Sequence, residues 1–240
     1  VILDGRRSPP LYDVGDFVFS PDGKRTAFAA QEAKGGPWFV FLDAEKQGPY
    51  QTIGDQSLAF NPDGTRLAYS AQIDGRWSAV VDGKAAEPHK GIAEMRFSPD
   101  GKRLAYVAQD GQTEAVVVDG EVERSFDAIG GGSLVFSPDS RRLGYIARSG
   151  YARFVVIDGT RKSRYTMVAY LNFTPDSRRY AYAALDETGA FTVVDDLPAA
   201  HRFESVWNPP GVNLLFDYRD QFHYIAVKKD EVFLVEEKME

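Results

Sequence analysis

Histidine is where acid–base chemistry or metal ligation would first be sought, and the chain has three: His89, His201 and His223. His89 and His223 hold places in a repeating pattern that other copies fill with Tyr50, Phe126 and Tyr165, or with Leu67, Leu104 and Leu143. His201 has no partner at motif spacing. All three are therefore read as structural. The chain has no cysteine, which removes thiolate nucleophiles, thiolate metal sites and disulfides. It also lacks a Gly-x-Ser-x-Gly elbow, a His-Glu-x-x-His helix, an Asp-x-Asp-x-Asp calcium loop and a glycine-rich phosphate cradle. Gly130-Gly131-Gly132 falls where a loop between strands is expected. These motifs assign no catalytic residue and no cofactor.

Other residues have types and spacing suited to binding. Three positions before a recurring phenylalanine stand Asp16, Ser57, Glu94, Ser133, Tyr170 and Asn213. At equivalent places in a closed array, these carboxylates, hydroxyls, amide and phenol would converge on a central channel and could hold a small polar ligand or a cation. A hydrated channel mouth accounts for the same residues. No metal is expected; if one bound, its ligands would be Asp16, Glu94 and Asn213. Trp38 and Trp77 open equivalent stretches, where later copies have Glu114, Arg153 and Ala190. An exposed aromatic pair can grip a sugar or a peptide, whereas a packed pair covers an adjacent loop. Finally, Asp22, Asp63, Asp100, Asp139 and Asp176 are followed three residues later by Arg25, Arg66, Arg103, Arg142 and Arg179. These alternating charges are either turn-stabilising groups with modest surface ion pairs or a docking face for a charged partner.

The elements that place these residues are repeats. Ser20-Pro21-Asp22-Gly23, Asn61-Pro62-Asp63-Gly64, Ser98-Pro99-Asp100-Gly101, Ser137-Pro138-Asp139-Ser140 and Thr174-Pro175-Asp176-Ser177 have prolines 41, 37, 39 and 37 residues apart. An eroded sixth copy stands at Phe216-Asp217-Tyr218-Arg219-Asp220. Phenylalanine precedes each group, and two residues earlier comes Phe17, Leu58, Met95, Leu134, Leu171 or Leu214, a period of two that marks a strand. Proline and aspartate then reverse the chain. The returning strand has a small residue between large ones, as in Leu67-Ala68-Tyr69 and Leu143-Gly144-Tyr145, which implies a closely packed face. A third, β-branched stretch ends in an acidic turn such as Val80-Val81-Asp82-Gly83. A fourth, more polar stretch carries one aromatic ring. If all five turns place their fourth residue in the left-handed region, Ser140→Gly is expected to be neutral to slightly stabilising and Gly101→Ser destabilising.

Four antiparallel strands in about 40 residues, repeated along the chain, is the arithmetic of a β-propeller. The expected fold is all-β, a six-bladed β-propeller of four-stranded antiparallel blades, and a single domain spanning 1–240. Repeats are placed near 15–53, 56–92, 93–129, 132–168, 169–206 and 212–235. Val1-Ile2-Leu3-Asp4-Gly5 matches the end of a third strand, so the chain is expected to begin part-way through a unit. Residues 1–14 would then complete the last blade, with 8–14 as its outer strand. The ring would close by joining N- and C-terminal strands, which removes a free edge.

The string Ser98-Pro99-Asp100-Gly101-Lys102-Arg103-Leu104-Ala105-Tyr106 resembles the WD-repeat-like propeller repeat of TolB-type bacterial proteins and of propeller domains attached to prolyl-oligopeptidase-like peptidases. The likeness covers five units well and the sixth through its hydrophobic skeleton. It implies a bacterial, extracytoplasmic setting, periplasmic or secreted. It also implies a non-catalytic binding or scaffold module that presents its loop-rich face to a protein or peptide partner. Two other readings remain: a metal-dependent hydrolase of the lactonase or glycan-processing kind that uses the axial polar set, and a propeller domain of a larger peptidase. The 28 basic and 35 acidic side chains give a net charge of −7, with no general attraction to phosphate backbones, so nucleic acid is not an expected partner. No apolar run approaches the roughly 18 residues of a membrane span, and no membrane insertion is expected.

Overall fold

The computed structural model describes residues 1–3, 6–8, 10–43, 45–207, 214–218, 220–229 and 231–239. All regular structure among them is β: a two-stranded pair near the N-terminus and six antiparallel sheets of four or five strands that follow one another along the chain, the blades of a β-propeller. The chain divides into two compact units, Val1–Gly111 with Val117–Glu121, and Gln112–Val116 with Val122–Glu240.

In the first unit the first sheet runs Asp13–Phe19, Thr26–Gln31, Trp38–Leu42 and Glu45–Tyr50. In the second sheet, Thr52–Ile53 and Ala59–Phe60 both pair with Leu67–Ile73, followed by Arg76–Val81 and Lys84–Ala85. The fifth and sixth sheets lie in the second unit, the fifth running Met167–Phe173, Tyr180–Asp186, Gly189–Val194 and Leu197–Pro198. Each first strand begins earlier than the Phe/Leu alternation suggests, because its opening residues pair without needing that alternation: Thr52 already faces Gln72. The small middle residues are packing devices, as expected. A Cβ on Gly144 would stand 2.9 Å from both Ile157 Cδ1 and Leu171 Cδ2, and Tyr69, Tyr145, Tyr182 and Tyr224 are fully buried.

At the chain ends the described residues make the following pairings. Ile2–Leu3 pairs with Arg6–Arg7 in a separate hairpin closed by Ser8 N donating to Val1 O at 2.9 Å. Asp13–Phe19 is the first strand of the first sheet, paired with Thr26–Gln31. The sixth sheet consists of Ser205–Trp207, Leu215–Tyr218, Gln221–Lys228 and Glu231–Lys238, and among the described residues it takes no strand from 8–14.

The five Pro-Asp turns share one geometry, with φ of 72°, 71° and 71° at Gly23, Gly64 and Gly101 and of 66° and 65° at Ser140 and Ser177. Ser20 Oγ donates to Asp22 Oδ1 at 2.7 Å and accepts from Arg25 N at 2.9 Å. Ser98, Ser137 and Thr174 do the same for their own turns. The Ser20 hydroxyl and then the Lys24 amide hold the Asp22 carboxyl down to about 2. The hydroxyls of Thr65 and Ser137 lower Asp63 and Asp139.

The arginines form their ion pairs with the aspartates that follow the third strands. Nε of Arg25, Arg66, Arg103, Arg142 and Arg179 donates to Asp43, Asp82, Asp119, Asp158 and Asp195 at 2.9, 3.0, 2.9, 3.0 and 2.6 Å. Each of those aspartates follows a third strand at positive φ. Its other oxygen accepts the amide that opens the second strand, as Leu67 N does to Asp82 Oδ1 at 3.0 Å. The guanidinium also crosses to the next sheet. Arg25 Nη1 donates to Thr65 O at 3.0 Å and Arg66 Nη1 to Lys102 O at 3.0 Å, with the cations 5.7 and 5.5 Å from the rings of Phe60 and Phe97. In the second unit Arg142 reaches Arg178 O at 3.1 Å and lies 5.2 Å from the Phe173 ring. An aromatic contact accompanies this bracket. Tyr50 meets Tyr69, and His89 meets Tyr106, edge to face at 5.8 and 6.2 Å; in the second unit Phe126, Tyr165 and Phe203 meet Tyr145, Tyr182 and Tyr224 in the same way. Each such pair contributes about 0.5–1.5 kcal/mol beyond the area it buries.

Candidate binding cleft

A cleft of about 430 Å³ opens in the first unit between the second sheet and Gly91–Phe97, a strand paired with Leu104–Asp110. Gly54–Ser57, Ala59, Ser70 and Trp77 line it on one side and Gly91–Arg96 on the other. The strand pattern accounts for the opening. The first strand of the second sheet is interrupted between Ile53 and Ala59, and residues 54–58 bow outward with Gln56 at φ 51°. Side chains replace the missing ladder bonds: Ser57 Oγ accepts Ser70 N at 3.2 Å, and Asp16 Oδ2 accepts Ser57 N at 3.0 Å. Across the cleft, Gly91–Phe97 carries a bulge between Ala93 and Arg96. Glu94 stands at that bulge with φ 43°, a conformation that costs a non-glycine residue about 1 kcal/mol or more and is retained where it aims a side chain. The Glu94 side chain is only 12% exposed, with Oε1 3.8 Å from Arg96 Nη2.

Trp77 is held from behind. Its amide donates to His89 O at 2.9 Å, and His89 N returns a bond to Trp77 O at 2.7 Å. His89 Nδ1 lies 2.6 Å from Asp110 Oδ2, and Asp110 Oδ1 accepts from Arg76 Nη2 at 3.1 Å. The His89 hydrogen bond, with the Lys90 amide behind it, lowers the Asp110 carboxyl below the usual carboxylate range. An indole, a carboxylate and a guanidinium thus line one cleft together with loop amides. This arrangement can stack on a ring or a planar peptide group while pairing with polar groups of either sign.

The structure sorts the residues singled out from the sequence. Trp77 and Glu94 line the cleft with Ser57. Asp16 belongs to the same unit, but its carboxylate is turned to the Ser57 amide. Trp38 does not line the cleft. Its ring lies over the first strand of its own sheet, with Cζ3 3.3 Å from where a Cβ on Gly15 would sit, and it packs against the core. In the second unit, Ser133 Oγ accepts Ile146 N at 3.1 Å, and Tyr170, at φ 60°, borders a small apolar slot. Asn213 lies outside the described residues. Among the described residues no group of three His, Cys, Asp or Glu side chains is placed to hold a metal ion. His223 Nδ1 stands 2.7 Å from Asp217 Oδ2 on the sixth sheet. Asp55, Gln56, Met95 and Arg96 were not anticipated as lining residues. Their signal was Gly54 and Gly91, glycines at strand ends where a strand can break or bulge.

No protein-family model and no curated protein matches the sequence. Among solved structures the chain is similar to TolB from Acinetobacter baumannii at 17% identity, covering 80% of this chain and 55% of that one with a TM-score of 0.40. It is similar to the β-propeller domain of the Trilobed protease from Pyrococcus furiosus at 12% identity, covering 96% and 84% with a TM-score of 0.46. A third similar structure is an oligogalacturonate lyase in complex with manganese, at 12% identity, 93% and 76% coverage and a TM-score of 0.43. The chain thus spans about half the length of the TolB structure.

Proposed function

We propose that this chain is a non-catalytic binding module that takes a segment of a protein or peptide partner in the cleft beside Trp77. The observation that carries this reading is the lining of the cleft: Trp77, whose main chain is bracketed by bonds to His89, shares about 430 Å³ with Glu94 and Arg96. Pre-organised aromatic and arginine anchors concentrate binding energy at interfaces. The likeness of the repeat to TolB-type proteins supports an extracytoplasmic setting and a scaffold role within one propeller domain. To test the reading, a random peptide library would be panned against the immobilised protein and the enriched peptides titrated into wild type and Trp77→Ala. Binding lost at least tenfold on that substitution, with an unchanged melting temperature, supports it. Enrichment of no peptide, or peptides indifferent to Trp77, refutes it.

A further inference from the structure

Ala190 occupies in the fifth sheet the place that Trp38 holds in the first. Each residue follows the same hairpin, Ala190 opposite Leu185 and Trp38 opposite Gln31. The registers Val14↔Ala30 and Val168↔Ala184 make Ala169 and Ala183 the counterparts of Gly15, against which the Trp38 ring lies, and of its neighbour Ala29. Among the described side chains of the fifth sheet no indole stands at that place, which Ala190 holds, and Tyr170 borders it. Ala169 and Ala183 instead line a slot of about 190 Å³ whose walls are mostly apolar. Met167 stands half-exposed at its edge. Glu204 is the one charged lining residue, and its Oε1 accepts Lys229 N at 3.0 Å.

We infer that this slot binds an aromatic side chain of a partner peptide, with a basic neighbour meeting Glu204. The chain itself supplies the template for the occupant, because an indole already lies on the equivalent surface of the first sheet. The carboxylate at the rim and the net charge of −7 select a cationic peptide over an anionic one. The slot lies in the second unit, apart from the cleft beside Trp77, so the two sites stand or fall separately.

The test titrates two capped peptides, acetyl-Lys-Trp-Lys-amide and acetyl-Glu-Trp-Glu-amide, into protein carrying a labelled Met167 methyl observed by NMR. The basic peptide is expected to bind saturably, in the weak range of a ligand this small, and the acidic one at least tenfold more weakly. Ala190→Trp, which supplies the missing ring, is expected to abolish the Met167 response, and Ala169→Leu, at a half-buried position, to weaken it at least tenfold. Glu204→Gln should bring the two peptides within about twofold of each other, while Trp77→Ala should change nothing. A Met167 response that never saturates in wild type, that persists in both slot-filling variants, or that is equal for the two peptides overturns the inference.

Discussion

Replacing Ser177 tests the turn geometry and the contact between neighbouring turns together. On backbone grounds alone, serine at φ 65° carries about 1 kcal/mol of strain that glycine would release, against about 0.7 kcal/mol from the looser unfolded chain. Glycine would then come out slightly ahead. The structure adds a bond that reverses the sign: Ser177 is buried, and its Oγ accepts the Asp139 amide of the preceding turn at 2.9 Å. Losing a partly buried hydrogen bond costs about 1 kcal/mol. Ser177→Gly should therefore destabilise by about 0.7 kcal/mol, and Ser177→Ala, which keeps the strain and loses the bond, by about 1 kcal/mol. Gly101→Ser works from the other side. A Cβ there would stand 2.6 Å from Nδ2 of buried Asn61, which donates to Gly101 O at 3.3 Å. Adding strain and disturbing that amide, less the unfolded-state gain, gives about 1.3 kcal/mol. Urea melts with a common slope would read these as shifts in midpoint. If Ser177→Ala melts with wild type, or Ser177→Gly is clearly more stable, the hydroxyl contributes nothing and the reasoning fails.

Other substitutions and conditions separate the remaining assignments. Trp38→Ala should destabilise by about 2 kcal/mol, less than for a fully buried ring, whereas Trp77→Ala should leave thermal unfolding nearly unchanged; equal losses would mean that both rings are core. Arg142→Lys should cost about 1.5 kcal/mol, because an ammonium cannot bond Asp158 and Arg178 O together as the planar guanidinium does; an unchanged denaturation midpoint counts against the bracket. Burial raises the phenols of Tyr69, Tyr145, Tyr182 and Tyr224, so stability is full below the unfolded value of about 10 and should fall as pH rises beyond it. The lowered carboxyls of Asp22 and Asp110 act in the opposite sense, with stability full above about 4 and lost as pH falls toward 2; stability flat across both windows would contradict these assignments. Calorimetric titration of calcium should show no site tighter than about millimolar. A micromolar site lost on Glu94→Gln would replace the binding-module reading with the hydrolase.

The sheets were legible because their information is local. The Pro-Asp turns, the alternation before them and the Val-Val-Asp-Gly endings each act within one hairpin, and each recurs often enough to be recognised. The partner of the repeat arginine was not legible from the turn alone. Three residues separate Arg66 from Asp63, yet it bonds Asp82, which belongs to the next hairpin. The recurring Asp sixteen residues on was visible, but only as a turn residue. The two tryptophans looked equivalent and are not, because Gly15 gives one of them a bed while the broken strand at residues 54–58 leaves the other beside open space. The N-terminal hairpin was missed because two pairs of residues carry too little pattern to be distinguished from a continuing strand.

The arginine bracket joins residues of quite different sequence at its receiving end. Arg25, Arg66 and Arg142 each end on a main-chain oxygen of the following turn, at Thr65, Lys102 and Arg178. A carbonyl is present whatever side chain the receiving residue carries, so that position can drift from threonine to lysine to arginine without breaking the junction. The donor end needs only its own arginine and its own aspartate, both encoded within a single copy. Each of these three copies therefore carries a complete outgoing fastener and meets a generic socket. A gene segment of this length can be duplicated, deleted or exchanged, and the new junction is formed at once without compensating change in the neighbour.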